Sequence, residues 1–448
     1  MELKRKAYDE LLRWKGRTPR AKALMVKGAR RVGKSYLVSR FAKREYRSHI
    51  LIDFASPPNG VKRIFDMYGN REQLNEFFNQ LSVLFGTKLY PGNSLLVFDE
   101  VQKYPKAREL VKYLVEDGRY DCIETGSLIS IKKNVKDIVI PSEEEELLLH
   151  PLDFGEFLLA LSDETTVPFL EESYRNNRPL GNLLKPVMEK LRLYMMVGGL
   201  PQAVVSYAST GSADATEAVK RGILKVYRED IAKYAEHYVA EATALFNSIP
   251  SQLAHHDKKI KYSSLGEGDR FRSYRDALFW MADSMVGSLS MCVEETAVFG
   301  GFSVKPQKLK CYMGDTGLLL TLAAGENYLR SELYKSFMLG KLSVNQGMMT
   351  ENLVAQMLVS GRHPLHFYEK RTMTEAGAKK YEVDFLLADG ERTTPIEVKS
   401  GNSRNHPSLD FFRKTYGKRA SKGILLTKGD LRETEEYRYL PLPMAMFL

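Results

Sequence analysis

The sequence predicts a multidomain α/β chain, and three stretches carry that prediction. Residues 25–35 run from an apolar stretch into Gly28-Ala-Arg-Arg-Val-Gly-Lys-Ser35. The apolar residues 95–98 end in Asp99-Glu100. Near the C-terminal end, Tyr381-Glu-Val-Asp384 is followed, after twelve intervening residues, by Glu397-Val-Lys399. At 448 residues the chain is too long for one ordinary core, and about three domains is the expectation. A hydrophobic fraction of 44%, with 10% aromatic residues, belongs to a chain that folds.

The first stretch reads as strand, loop and helix. Ala23 to Val26 suit a buried strand, and Lys34 to Arg44 suit a helix whose positive N-terminus faces an anion. Between them lies GxxxxGKS, in which Gly28 and Gly33 let the backbone curl tightly enough to aim several N–H groups at one phosphate. Gly28, Ala29, Arg30, Arg31, Val32, Gly33, Lys34 and Ser35 are therefore the candidate nucleotide-binding residues. In this pattern the lysine reaches the outer phosphates and the serine hydroxyl goes to magnesium, which implies ATP with Mg2+.

The second stretch, Ser94-Leu-Leu-Val-Phe-Asp-Glu, has the pattern of a buried parallel strand that delivers two acids at its C-terminal edge. Asp99 is the candidate metal residue beside Ser35, and Glu100 the candidate that polarises the attacking water. A helix from Lys106 to Glu116 and a short strand ending at Thr125-Gly-Ser127 follow. The acidic run Glu143 to Glu146 reads as a solvated loop. From Phe154 to about Tyr238 the pattern is mostly helical and suits a small lid beside the nucleotide, with Met195 and Met196 as core filler. Helices then lead to two strand-like runs, Leu289 to Thr296 and Lys308 to Met313, around Gly300-Gly301.

The charge of +10 is uneven: residues 1–50 hold sixteen Lys or Arg against four Asp or Glu. Such a segment attracts phosphate polymers, and it equally serves nucleotide phosphates. Cys122, Cys292 and Cys311 are far apart without CxxC spacing, so core thiols are expected rather than disulfides or zinc. No apolar run approaches a bilayer span and no signal segment follows the N-terminus, so a cytoplasmic location is expected.

The third stretch reads as two adjacent strands of a hairpin turning at Ala388-Asp-Gly-Glu391. In that register Asp384 and Glu397 converge on one divalent metal, magnesium or manganese, with Lys399 on the same strand face. A lysine there stabilises or orients a water attacking a phosphodiester.

Nine segments in the same order make the resemblance specific. Besides the three stretches above they include Pro151-Leu-Asp-Phe-Gly-Glu-Phe157, Val197-Gly-Gly-Leu-Pro201, Asp315-Thr-Gly-Leu-Leu319 and Glu351-Asn-Leu-Val354. The chain resembles prokaryotic AAA-superfamily P-loop ATPases that carry a C-terminal domain of unknown function. The resemblance implies an ATP-hydrolysing αβα parallel-sheet core over 1–160, a helical lid over 161–240 and a winged-helix-like module over 241–330. A restriction-endonuclease-like α/β domain of the PD-(D/E)xK type would follow over 331–448. In additional-strand ATPases a polar residue after the intervening strand senses the γ-phosphate, and Ser127 or Thr125 fits that place. The nuclease-like fold adds an acid from the preceding helix, here Glu351, to Asp384, Glu397 and Lys399. Lys258, Lys259, Lys261, Arg270, Arg272 and Arg275 lie where a winged helix touches DNA phosphates. DNA or RNA, a protein partner and a homo-oligomer are the implied associations. Two functions remain open: an ATPase acting on nucleic acid, with metal-dependent cleavage, and a nucleotide-gated protein-interaction switch whose nuclease-like domain is inactive.

Overall fold

The structure is a computed structural model and describes residues 2–17, 22–126, 144–266, 270–296, 301–325, 337, 346–374, 377–399 and 405–448. It divides into two compact units, one built on residues 4–150 and one on residues 151–282 and 286–448.

The first unit is a five-stranded parallel sheet between helices. Its strands are β1 (Ala23–Gly28), β2 (Ser48–Asp53), β3 (Ser94–Asp99), β4 (Asp121–Gly126) and β5 (Glu144–Leu149), in the order β2-β3-β4-β1-β5. Both faces are covered, so the strands read as unbroken apolar runs rather than alternating ones. Along β1, Ala23 and Met25 enter one core with Phe54, Phe65 and Phe98, while Leu24 and Val26 enter the other with Leu11, Val38 and Phe41. The second of these cores is closed by α1 (Lys6–Lys15) and α2 (Lys34–Glu45). Because β4 lies between β1 and β3, the loop after β1 and the acids after β3 face each other across one strand, at the C-terminal edge of the sheet.

The acidic run is not a solvated loop. Glu144 to Glu146 begin β5, the edge strand paired in parallel with β1, and each carboxylate has a cation: Arg108 for Glu144, Arg17 for Glu145 and Lys27 for Glu146. Part of the basic charge of residues 1–50 is thus balanced inside its own unit. The charge run concealed the strand, because an edge strand buries only alternate side chains, here Leu147 and Leu149. Arg108 also lies 3.8 Å from Glu124, a fully buried carboxylate of β4. Burial, reinforced by Glu144, pushes the Glu124 carboxyl well above its usual range.

The second unit opens with helices, among them α6 (Phe154–Ala160), α8 (Leu184–Val197), α9 (Pro201–Thr210) and α10 (Ala213–Tyr234). Two of the diagnostic segments meet here in a structural joint. Asp315 accepts from the Gly199 N–H (2.6 Å) and caps α13 (Thr316–Ala324) by accepting from the Leu318 N–H (2.9 Å). Gly198, at φ +83°, has no room for a β-carbon beside that carboxylate. The fully buried Lys220 closes the joint, donating to the Met196 carbonyl (2.7 Å). Met195 and Met196 are buried as core filler, and all three cysteines are buried.

The hairpin of β6 (Gly287–Thr296) and β7 (Phe302–Met313) is longer than expected and is not a free two-stranded wing. It belongs to a four-stranded sheet, β7-β6-β8-β9, in which β6 pairs in parallel with β8 (His366–Thr374), itself antiparallel to β9 (Gly377–Val383). A second sheet has the order β10-β11-β12-β14-β13. It comprises β10 (Phe385–Asp389), β11 (Arg392–Val398), β12 (Gly423–Thr427), β13 (Arg432–Glu433) and β14 (Tyr437–Pro441). The expected hairpin is present, with Phe385 opposite Ile396. No helix among the described residues is long and apolar enough to cross a membrane.

Candidate functional site: a phosphate cradle facing an acidic strand end

The loop from Gly28 to Ser35 has the backbone its sequence requires. Gly33 adopts φ 97° and Arg31 φ 69°, and a β-carbon on Gly28 would run into the Leu149 carbonyl oxygen. Ala29 and Val32 are buried beneath the loop, while Arg30, Arg31 and Ser35 are exposed. Lys34 begins α2 and is only 6% exposed. Its ammonium donates to the carbonyl oxygens of Gly28 (3.0 Å) and Ala29 (3.1 Å), which fold the side chain back over the loop.

Across β4, the acids at the end of β3 converge on the same place. Ser35 Oγ donates to Asp99 Oδ1 (3.0 Å), and Thr125, at the end of β4, donates to the same oxygen. Glu100 sits at φ 52°, a left-handed turn that takes its carboxylate out of the strand line. The buried Gln102 holds that carboxylate through its side-chain amide (Nε2 to Glu100 Oε2, 2.6 Å). The sequence reading missed Gln102, although its spacing from Glu100 was a usable signal. Thr125 takes the contact with Asp99, and Ser127 lies outside the described residues.

These residues fit a triphosphate with its metal. Without a β-carbon Gly28 passes close against the Leu149 carbonyl, the loop ends at the N-terminus of a twelve-residue helix, and a lysine donating to main-chain carbonyls is able to exchange them for charged oxygens. Ser35 and Asp99 supply hard oxygens of the kind magnesium takes.

In the second unit the predicted acids are surrounded differently. Glu351, on α14 (Gln346–Ser360), is 1% exposed; it accepts from Tyr312 Oη (2.6 Å) and Lys310 Nζ (3.1 Å) and pairs with Lys258. Lys310, fully buried on β7, also reaches Glu382 (2.8 Å) and Asp384 (3.8 Å). Asp384 Oδ2 accepts from the Val398 N–H (2.8 Å). Burial opposes ionisation of Glu351, but Lys310, Lys258 and Tyr312 outweigh it and hold the carboxyl down to about 2. Burial, and then Glu351, push Asp384 up to about 7. Glu397 pairs with Lys399, and burial raises its carboxyl.

The expected metal site of Glu351, Asp384 and Glu397 is therefore not assembled. Among the described residues no group of three or more His, Cys, Asp or Glu side chains is placed to hold a metal ion. The physical reason is that ammonium groups stand among the acids. Of the six candidate DNA-contacting cations, Lys258 and Lys259 turn inward to Glu351 and Glu369, whereas Lys261, Arg270, Arg272 and Arg275 are exposed. Tyr262 packs on Phe271 and Tyr274 and is a packing residue. Strand periodicity sets Lys308, Lys310 and Tyr312 on one face of β7, where Lys310 and Tyr312 are buried and Lys308 is exposed.

Comparison with known proteins agrees with the first unit. Residues 20–158 match the family of AAA domains, residues 188–328 match a domain of unknown function (DUF8612), and residues 346–446 match another (DUF4143). No curated protein matches the chain. Among solved structures, the Walker-type ATPase of Pyrococcus abyssi is similar at 17% identity and a TM-score of 0.42, covering 72% of this chain and 96% of that one. A signal-transduction ATPase with a tetratricopeptide repeat sensor from Pyrococcus horikoshii aligns at 12% identity and a TM-score of 0.28, over 80% of this chain and 48% of that one. Cdc6p from Pyrobaculum aerophilum aligns at 11% identity and a TM-score of 0.23, over 75% of this chain and 93% of that one. From the family match over residues 20–158, the GxxxxGKS loop and the parallel sheet that presents it, the N-terminal part of this chain is an AAA-type, P-loop ATPase-like domain.

Proposed function

We propose that the chain binds ATP with magnesium at residues 28–35 and hydrolyses it. Main-chain N–H groups of the loop and the start of α2 would receive the phosphates, and Lys34 would exchange its carbonyl partners for outer phosphate oxygens. Magnesium, when bound, neutralises phosphate charge, and Ser35 and Asp99 are the residues that would hold it. Glu100 would accept a proton from the attacking water, with Gln102 orienting its carboxylate. Thr125, bonded to Asp99, is the residue of β4 suited to sense the outer phosphate. The observation that carries this reading is the Ser35 contact to Asp99 beside the folded-back Lys34. Binding of a fluorescent ATP analogue and release of phosphate test it: both should fail in Lys34→Ala, and unchanged hydrolysis would refute the site.

For the rest of the chain the observations favour the nucleotide-gated switch over a cutting enzyme. The acids expected to hold a catalytic metal are paired with lysines, and of the lysines expected on DNA Lys258 is spent on that pairing while Lys259 pairs with Glu369. A nucleic-acid partner would then be bound through the exposed Lys261, Arg270, Arg272 and Arg275, without cleavage. Gel shifts with DNA and RNA, with and without ATP, separate the readings. If neither polymer binds nor alters the ATPase rate, a protein partner is the ligand of the second unit.

A further inference from the structure

We infer that the lysines of the second unit, Lys310 above all, are the resident cations of its acid cluster and stand where a divalent metal would be expected, so that this domain takes up neither magnesium nor manganese. The inference does not depend on the nucleotide site, which lies in the other unit.

Geometry is the first support. Lys310 Nζ, fully buried, lies 3.1 Å from Glu351 Oε1, 2.8 Å from Glu382 Oε1 and 3.8 Å from Asp384 Oδ1. Three carboxylates from a helix, a strand and a strand entrance thus converge on one cation, as they would around a metal, but that cation is covalently part of β7. Lys258 adds a second ammonium on the other oxygen of Glu351. An ion arriving from solvent has to displace groups that are tethered at high local concentration and already desolvated.

Charge balance is the second. The contacts continue outward: Glu369 meets Lys259, Lys308 and Lys380, and Lys380 also meets Asp257 and Glu382. Followed to its ends, this chain of contacts joins five lysines to five carboxylates. Five ammonium groups against at most five carboxylates leave no excess negative charge for a divalent ion to fill, and its repulsion by Lys310 and Lys258 opposes entry. Glu397 does keep a buried oxygen, Oε2, without a hydrogen-bond partner. Its other oxygen is held by Lys399, and a single carboxylate is no cage for magnesium.

The test is manganese binding to the full-length protein without nucleotide, followed by electron paramagnetic resonance of the free ion. Any bound manganese should disappear in Asp99→Asn and persist in Glu351→Gln and Asp384→Asn. A stoichiometry that falls by one in either of the latter two would overturn the inference. Should Glu351→Gln fail to fold, Asp384→Asn carries the measurement, since Lys310 holds that carboxyl least tightly. A second experiment asks whether the position accepts a cation at all. In Lys310→Ala the melting temperature should fall, and millimolar manganese should recover it by several degrees. Lys220→Ala, which removes another fully buried lysine, should show no recovery. Equal behaviour of the two variants would show that Lys310 is an ordinary structural lysine.

Discussion

Two buried lysines, one in each unit, are held in opposite ways. Lys34 donates to two main-chain carbonyls at the mouth of a loop, whereas Lys310 sits among the carboxylates of Glu351, Glu382 and Asp384. A carbonyl is a neutral acceptor, and a phosphate oxygen replaces it with a stronger, charge-assisted bond. A buried carboxylate is already the strong partner, and removing it leaves an uncompensated charge. The same side chain is therefore poised to change ligand in one unit and locked in the other.

The largest effect should come from the group that does the proposed chemistry. Glu100→Gln should lower kcat by about 10²–10⁴-fold while an ATP analogue still binds, because the amide cannot take the proton of water. Phosphate release and analogue titration together check it; lost binding would place Glu100 in the binding step instead. The two lysines come next, and their variants should fail in different assays. Lys310→Ala should cost about 3–5 kcal/mol of folding stability, read by urea unfolding, since it breaks a buried ion cluster. Lys34→Ala should lower turnover by about 10²–10³-fold through loss of charge at the phosphates. Its melting temperature should move less than that of Lys310→Ala, and the reverse order would erase the contrast between the two sites.

A smaller effect concerns acid. Burial opposes ionisation of Glu369, but hydrogen bonds from Lys259 and Lys308, and then the Lys380 charge, hold its carboxyl down to about 2 against an ordinary 4.5. A carboxyl depressed in the folded state contributes stability above its unfolded value and loses it as pH falls toward the folded one. Stability of the wild type should therefore drop between about pH 4.5 and about pH 2, and Glu369→Gln should flatten that limb while being weaker at neutral pH. Melting curves taken across that range decide it. Least of all should come from Arg17→Ala, which removes an exposed partner of Glu145: within about 1 kcal/mol, as for solvent-exposed pairs generally.

What could be read from residues alone was greatest where local pattern and burial coincide. In the first unit the apolar runs of β1 and β3 are buried on both faces, so composition and burial give the same answer, and the glycines of the loop stand where the backbone needs them. Lys34, Ser35, Asp99 and Glu100 come together because strand ends at one sheet edge are brought near by topology. The edge strand β5 was illegible because its charged residues matched a loop until the cations of other elements were known.

In the second unit the sequence determined the hairpin of Asp384 and Glu397 and the helix that bears Glu351, all of which are local. It could not determine which cation those acids meet. Lys258 precedes Glu351 by 93 positions and Lys310 by 41, and only the packing of β7 and of the segment around Lys258 against α14 sets them together. Motifs record residues near in sequence, whereas the charge that completes or fills a buried site is chosen by distance in space, which the tertiary structure alone decides.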